Sequence, residues 1–483
     1  MSGTSAPGSD GQTVSFDTLP LPVSQLQNLQ DMGYAQMTPV QALSLPPALQ
    51  GRDLIAQAKT GSGKTAAFGI ALLQRLNPRD FGTQALVLCP TRELATQVAT
   101  QLRKLARYLA NIKVVVLSGG QPLGPQIASL EHGAHVVVAT PGRLRDHLQK
   151  QTLDLSRVNT LVLDEADRML DMGFAEDIEF ILGHTPASRQ TLLFSATFPA
   201  DIVALSSRYQ RDALQVSVES THDAHSIEQC FFSLGETPDE ERRAAAVVRL
   251  LQLWQPESCV VFCNTRQGTM DIARHLRQHD LPALALHGEL EQRERDQILV
   301  QFRNGSVPFL AATDVAARGL DIEALPLVIN AELPRDLDVY THRIGRTGRA
   351  GEQGIAASLF FENERFRVDA LRERDAATAS ASIQSIGQLQ GRASAAPLRR
   401  MQTLDIAGGR KNKLRPGDIL GALTAEQRVP ASAIGRIDIL EHASYVAIAE
   451  EWVDTALQVL EQRRIKAQKF KIRRLGSPGR RQS

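Results

Sequence analysis

Residues Ala58–Thr65 read AKTGSGKT and stand between an apolar run, Leu54-Ile55-Ala56, and a helix-like run from Ala66 to Leu76. A glycine-rich turn that leads from a strand into a helix lets successive backbone N–H groups converge on one anion. Gly61 and Gly63 permit the bend, and Thr60, Gly61, Ser62 and Gly63 supply the cradle. Lys64 can reach a β- or γ-phosphate, and the Thr65 hydroxyl can ligate Mg²⁺. The alternative is a mobile loop that happens to contain these residue types, and the flanking strand and helix patterns speak against it. The general pattern opens with Gly where this chain has Ala58. The loop therefore predicts nucleotide binding in an α/β setting without saying which reaction it serves.

The rest of the chain repeats the alternation that the loop begins. Apolar strand candidates lie at 52–56, 84–89, 113–117, 135–139, 160–163, 190–194 and 214–218. Unbroken runs such as Val114-Val115-Val116 and Val136-Val137-Val138 suit strands buried on both faces, hence a mostly parallel sheet covered by helices. Ligands of such sheets sit at the carboxyl ends of the strands. A second block, with candidates at 258–262, 283–287, 307–312, 326–330 and 354–361, has no phosphate loop of its own. A chain of 483 residues exceeds one ordinary core. The expected division is a tail (1–15), a first domain (16–218), a polar hinge (219–225), a second domain (226–372), a connector (373–408), a C-terminal module (409–475) and a tail (476–483).

Charge separates that module from the rest. From Arg399 onward there are 17 Lys/Arg and 9 Asp/Glu, a net of +8, against 37 and 44 in the remainder, a net of −7. A basic appendage on a mildly acidic body points to a polyanion. Cys89, Cys230, Cys259 and Cys263 are scattered without metal-ligand spacing and read as reduced, buried thiols of a cytoplasmic protein. The first residues, MSGTSAPGSDGQT, lack the basic and apolar regions of a secretory signal. No apolar run approaches the ~18 residues of a membrane span. A monomer is expected.

The remaining polar motifs fall where strands end. Leu161-Val162-Leu163 runs into Asp164-Glu165-Ala166-Asp167, which places a carboxylate opposite Lys64 and Thr65 for Mg²⁺ and Glu165 beside the attacking water. Acids that merely open a helix would look similar, but would not explain the pairing with the phosphate loop. In the second block, Arg343, Arg346 and Arg349 recur every third residue in YTHRIGRTGRAG. They are candidate fingers for transition-state charge, or else a solvated basic loop. Together these features predict a site shared by two domains. Upstream, Phe16, Gly33-Tyr34 and Gln41 offer rings and an amide to a purine, although Pro39 at a helix start accounts for part of that stretch.

At this point the sequence resembles a DEAD-box RNA helicase across about 16–370. Phe16, Gly33 and Gln41 resemble the adenine-reading Q motif, and AKTGSGKT resembles motif I with its Ala58. Pro90-Thr91-Arg92-Glu93-Leu94, Gly119-Gly120 and Thr140-Pro141-Gly142-Arg143 resemble the first domain's RNA-backbone motifs. Ser195-Ala196-Thr197 resembles the element coupling hydrolysis to unwinding. Val261 to Arg266, Gln292 with Arg295, Ala312 to Asp321 and His342 to Arg349 resemble the second domain's motifs, in order. The resemblance implies two RecA-like parallel-sheet domains, ATP and Mg²⁺ as cofactors, and RNA as partner, with no DNA. It assigns Lys64, Asp164, Glu165, Arg346 and Arg349 to catalysis, Thr65 and Asp164 to the metal, and Gly319 and Asp321 to the nucleotide. Arg92, Gly120, Thr140, Arg143, Thr265, Arg266, Gln292, Arg295 and Thr313 go to RNA, and Ser195, Thr197 and His342 to coupling.

The C-terminal segment resembles the small RRM-like α/β RNA-binding domain of DbpA-type bacterial helicases, most clearly over Lys413 to Leu423. Candidate strands are Ile434 to Leu440, Tyr445 to Ala449 and Ala467 to Ile472, with a helix from Glu450 to Arg463. The resemblance implies targeting to 23S ribosomal RNA during large-subunit assembly. Only Tyr445 is aromatic where a typical RRM stacks bases, so Lys411, Lys413, Arg415, Lys466 and Lys469 are the candidate contacts, or else a solvated face. Trp452, at helical spacing from Ala456, Val459 and Leu460, is expected in the core. A general RNA chaperone, an ATP-gated clamp without hydrolysis, a DNA translocase and an inert RNA-binding protein remain the rival functions.

Overall fold

The computed structural model describes residues 14–58, 62–195, 197–198, 200–217, 227–317, 325–348, 353–374, 376–389, 400–466 and 468–476. The chain divides into two compact units. The first holds seven strands, β1 (Leu54–Gln57), β2 (Ala85–Leu88), β3 (Val114–Leu117), β4 (Val136–Ala139), β5 (Thr160–Asp164), β6 (Gln190–Ser195) and β7 (Leu214–Ser217). They form one parallel sheet in the order β3-β4-β2-β5-β6-β1-β7. Every residue of β2, β4, β5 and β6 is buried, as unbroken apolar runs require when helices cover both faces.

The second unit opens with the same architecture. Its strands are β8 (Ile227–Ser233), β9 (Cys259–Cys263), β10 (Ala283–Leu286), β11 (Phe309–Thr313), β12 (Leu327–Asn330), β13 (Gly354–Phe360) and β14 (Ser382–Ser385). They are all parallel, ordered β10-β11-β9-β12-β13-β8-β14. Two of them, β8 and β14, had no counterpart among the expected strands. The two sheets are RecA-like, as expected from the motifs.

The same unit ends in a small antiparallel sheet, β16-β17-β15-β18, made of β15 (Met401–Ile406), β16 (Ile434–Ile439), β17 (Ser444–Ala449) and β18 (Ile472–Arg474). Helices Pro416–Thr424 and Val453–Gln462 cover one face, packing Ile419, Leu423, Val453, Ala456 and Leu460 against Leu404, Ile406, Val446 and Ile448. Here the sequence boundaries need correcting. β15 lies within the expected connector yet sits between β17 and β18, and the last strand begins at Ile472, where one was expected to end. Trp452 packs against this core, as its spacing predicted. The hinge at 219–225 and most of both tails lie outside the described residues. All four cysteines are free and buried. No described helix is long and apolar enough to cross a membrane.

Candidate functional site

Strand order sorts the motifs of the first unit into two groups along one sheet edge. Arg92 follows β2, Gly120 follows β3, and Thr140 and Arg143 follow β4; these strands are neighbours on one side of the sheet. The phosphate loop follows β1, Asp164 closes β5, and Ser195 closes β6, on the other side. The β2–β5 pairing is the seam between them.

On the β1 side, contacts within the chain set the backbone conformation of the loop. Gly63 caps the Lys64–Gln74 helix at φ 93°, a left-handed conformation. A Cβ there would lie 2.5 Å from Gln41 Nε2. That amide is committed at both ends, donating to the Gly63 carbonyl at 3.1 Å and accepting from the Thr38 N–H at 2.9 Å. Thr38 Oγ1 donates to the Ser62 carbonyl at 2.7 Å. Thr38, which sequence reasoning passed over, thus ties the Gln41 helix to the loop. Phe16 is buried edge-on to Tyr34, 6.1 Å between ring centroids. Gln41 and Thr38 therefore brace the loop, while Phe16 packs into the core; Thr60 and Gly61 lie outside the described residues.

Lys64 and Asp164 are buried, and neither Lys64 Nζ nor Asp164 Oδ1 has a hydrogen-bond partner among the described residues. Burial, partly offset by Lys64 and reinforced by Glu165, raises the Asp164 carboxyl to about 6. Thr65 stands next in the helix. Asp167, three residues on, behaves oppositely. Burial opposes its ionisation, but the Thr197 N–H and hydroxyl, the Arg168 N–H and the nearby Lys64 outweigh it and hold the carboxyl low. Both Thr197 donors lie 2.9 Å from Asp167 Oδ2, and Ser195 Oγ donates to the Thr197 carbonyl at 2.7 Å. Glu165 caps the intervening helix in a left-handed conformation, φ 55° and ψ 51°, with its carboxylate in a buried ion pair with Arg168. Sequence reasoning missed Arg168; its spacing of three from Glu165 was the available signal.

On the side of β3, β4 and β2, a Cβ on Gly120 would overlap the Arg92 guanidinium, so glycine is what lets Arg92 lie over that turn. Thr140 caps the Pro141–Gln149 helix, and Arg143 Nη1 donates to the Gln121 carbonyl at 2.9 Å. These groups come from three neighbouring strand ends.

The second unit repeats the sorting. Thr265 and Arg266 follow β9, Gln292 and Arg295 follow β10, and Thr313 ends β11, three adjacent strands. Thr265 accepts the Gly268 N–H at 3.0 Å, and Arg266 pairs with Glu289. Arg295 Nη2 donates to the Ala316 carbonyl at 2.8 Å. Of the three evenly spaced arginines, Arg343 is engaged within the fold. It is 1% exposed, gives Nε and Nη2 to the two Asp314 oxygens at 2.6 and 2.7 Å, and also bonds Asn264, Asn330 and the Glu332 carbonyl. Arg346 is buried, with its N–H on the Arg343 carbonyl; His342 lies one residue before Arg343 in the Leu337–Ile344 helix. Arg349, Gly319 and Asp321 lie outside the described residues.

In the C-terminal module, Lys466 Nζ donates to the Lys413 carbonyl at 2.8 Å and approaches Asp418 at 3.9 Å. That contact brings the 410–415 turn to the chain at Lys466. Lys411, Lys413, Arg415, Lys466 and Lys469 are all exposed, and Lys411 faces Glu441 at 3.3 Å.

Comparison with known families and proteins agrees with this geometry. The DEAD/DEAH box helicase family matches residues 38–205, the helicase conserved C-terminal domain matches 242–351, and the DbpA RNA binding domain matches 403–474. The chain is 50% identical over 469 residues to the ATP-dependent RNA helicase DbpA of Escherichia coli, covering 95% of this chain and 99% of that one. It is 40% identical over 362 residues to the DEAD-box ATP-dependent RNA helicase CshA of Bacillus subtilis, covering 75% and 72%. Among solved structures, S. cerevisiae Dbp5 L327V bound to RNA and ADP BeF3 matches with a TM-score of 0.69 at 29% identity, covering 77% of this chain and 95% of that one.

Proposed function

The chain belongs to the DEAD-box ATP-dependent RNA helicases, and on that premise we propose that it remodels 23S ribosomal RNA during large-subunit assembly, directed there by its C-terminal module. ATP hydrolysis and RNA are common to the family; the ribosomal target is the narrower reading. The observation that carries it is the basic edge formed where Lys466 closes on the Lys413 carbonyl, in a module that matches the DbpA RNA binding domain.

In this reading Ser62 to Thr65, with Thr60 and Gly61, hold the phosphates, and Lys64 neutralises the terminal one. Thr65 and Asp164 hold Mg²⁺, which neutralises phosphate charge when bound. The unpartnered Asp164 Oδ1 fits that role. Glu165 orients the attacking water, Arg346 and Arg349 stabilise developing charge, and Gly319 and Asp321 contact the nucleotide. Phe16 and Gln41 select adenine. Asp167 and Thr197, with Ser195 and His342, link the nucleotide to RNA handling. Arg92, Gly120, Thr140, Arg143, Thr265, Arg266, Gln292, Arg295 and Thr313 grip sugar and phosphate, which selects RNA without selecting sequence. The protein acts as a monomer.

The test is steady-state ATPase activity with generic RNA and with a large-subunit ribosomal RNA fragment, for the intact chain and for a Lys413, Arg415, Lys466 and Lys469→Ala variant. The fragment should stimulate the intact chain at a lower concentration than generic RNA, and the variant should lose that preference. Equal stimulation by all RNAs in both proteins removes the ribosomal assignment and leaves a general RNA chaperone.

A further inference from the structure

The C-terminal sheet has one face covered by its two helices and a second face carrying Thr403, Asp405, Tyr445, Arg473 and Leu475. In an RRM the second face is the platform on which bases stack. Here part of it is occupied by the Gln292–Arg303 helix of the same unit. Tyr445 is 3% exposed and clusters with Val300 and Leu475. Gln297, one turn before Val300 in that helix, has a buried Nε2 without a hydrogen-bond partner among the described residues. Thr403 Oγ1 accepts from Asn304 Nδ2 at 2.9 Å and bonds Ser306 Oγ. Arg293, Asp296, Gln297, Val300 and Asn304 recur every three or four residues, so they form one stripe of a helix.

The neighbouring stripe carries Gln292 and Arg295. Gln292 Nε2 donates to Asp296 Oδ1 at 2.8 Å, and Arg295 reaches the Ala316 carbonyl, two residues past the Arg343 partner Asp314. One short helix therefore touches the C-terminal sheet on one side and presents two RNA-contact candidates on the next.

We infer that Tyr445, Thr403 and Asn304 are positioning residues, and that docking of the sheet on this helix sets Gln292 and Arg295 for the RNA backbone. The inference rests on the reading of those two residues as RNA contacts. Its consequence is that the tyrosine is spent on an intramolecular joint, which leaves RNA targeting to the basic edge. The appended module then acts on the core through a packed contact as well as through its tether.

The experiment uses the full chain with Tyr445→Ala, Asn304→Ala and the conservative Tyr445→Phe, which keeps the packing against Val300 and Leu475. Amide hydrogen exchange over 292–303 without RNA should quicken about tenfold in the two alanine variants and stay near the parent in Tyr445→Phe. The generic RNA concentration giving half-maximal ATPase should rise about threefold or more, with kcat at saturating RNA within about twofold. Arg295→Ala serves as control, raising that concentration without quickening exchange. Unchanged exchange in both alanine variants overturns the docking. Faster exchange with unchanged half-saturation, while Arg295→Ala does raise it, overturns the positioning role. If Arg295→Ala has no effect, the RNA-contact reading itself fails. Asn304 lies outside the module, so its variant carries the test should Tyr445→Ala unfold the sheet.

Discussion

Replacing Arg343 by Met should unfold the second unit far more readily while leaving the first untouched. The guanidinium is 1% exposed and makes a two-pronged pair with Asp314, hydrogen bonds to Asn264 Oδ1 at 2.8 Å, Asn330 Oδ1 at 3.3 Å and the Glu332 carbonyl at 2.7 Å, and lies 5.2 Å over the Phe262 ring. Met fills similar volume and satisfies none of these. Breaking a buried ion pair from one side costs about 3–5 kcal/mol, because the partner charge stays behind. The Asp314 side chain is 22% exposed, so water relieves part of that charge and the lower end of the range applies. At a urea slope of about 2 kcal/mol/M the midpoint should fall by about 1.5 M, and for a unit of this size Tm should fall by about 6–12 °C.

Tryptophan fluorescence isolates the event, since the chain's two tryptophans, Trp254 and Trp452, both belong to the second unit. Trp254 is buried beside Phe232, with 5.9 Å between ring centroids. Adding Asp314→Asn to Arg343→Met removes the stranded charge and should recover part of the loss, a coupling that a double-mutant cycle reads directly. A folded Arg343→Met protein whose midpoint moves by less than about 0.5 M, with a large fall in kcat, would refute the structural assignment and restore Arg343 as a finger.

Gly63→Ala places a methyl against Gln41 Nε2 in a left-handed backbone, so fluorescent-nucleotide titration should show ATP affinity at least ~10-fold weaker. Asp164→Asn should abolish turnover yet stabilise the ligand-free first unit. A carboxyl moved from 3.8 to about 6 by burial costs stability once ionised, about 3 kcal/mol for two pKa units. That gain should be absent below about pH 4, grow to about pH 6 and stay constant above it; calorimetry across pH showing no gain at neutral pH counts against the assignment. Thr197→Val removes one of the two donors to Asp167. ATPase should persist while duplex unwinding falls, and a parallel loss of both rates would show that Thr197 serves hydrolysis itself.

The parallel sheets and the phosphate loop were legible because their residue types are imposed locally. Val136-Val137-Val138 can only be comfortable with both faces covered, and Gly63 holds a backbone angle that other residues resist. β15 was not legible, since MQTLDI reads as a polar connector. Its Thr403 and Asp405 are buried only because other segments reach them: Asn304 and Ser306 from the second parallel sheet's domain, and Arg473 from β18. β8 failed for a related reason, as IEQCFFS shows little periodicity until β13 and β14 flank it. Among the arginines, equal spacing could not show that Arg343 would be held by internal partners. That is decided by Phe262, Asn264, Asp314 and Asn330, which come from three different strands or the turns that follow them.

Asp164 and Asp167 show how one short motif yields two chemistries. Both are buried and both lie near Lys64, yet one carboxyl is pushed up and the other held down. The difference is the donor count. Asp167 accepts three hydrogen bonds, two from Thr197 and one from the Arg168 N–H, and these more than offset its desolvation. Asp164 accepts one, from the Glu165 N–H, and its Oδ1 accepts none among the described residues. A carboxylate already satisfied by the protein has little to gain from a cation, so Asp167 suits a mechanical link to the segment after β6. An oxygen left without a donor gains most when a cation arrives, which is the physical ground for proposing Asp164 as the metal-side carboxylate. The unmet hydrogen-bonding capacity of Asp164 Oδ1 costs stability, and binding of Mg²⁺-nucleotide should recover it. Mg²⁺-nucleotide should therefore stabilise the parent chain by more than it stabilises Asp164→Asn, beyond any difference explained by affinity for the nucleotide alone.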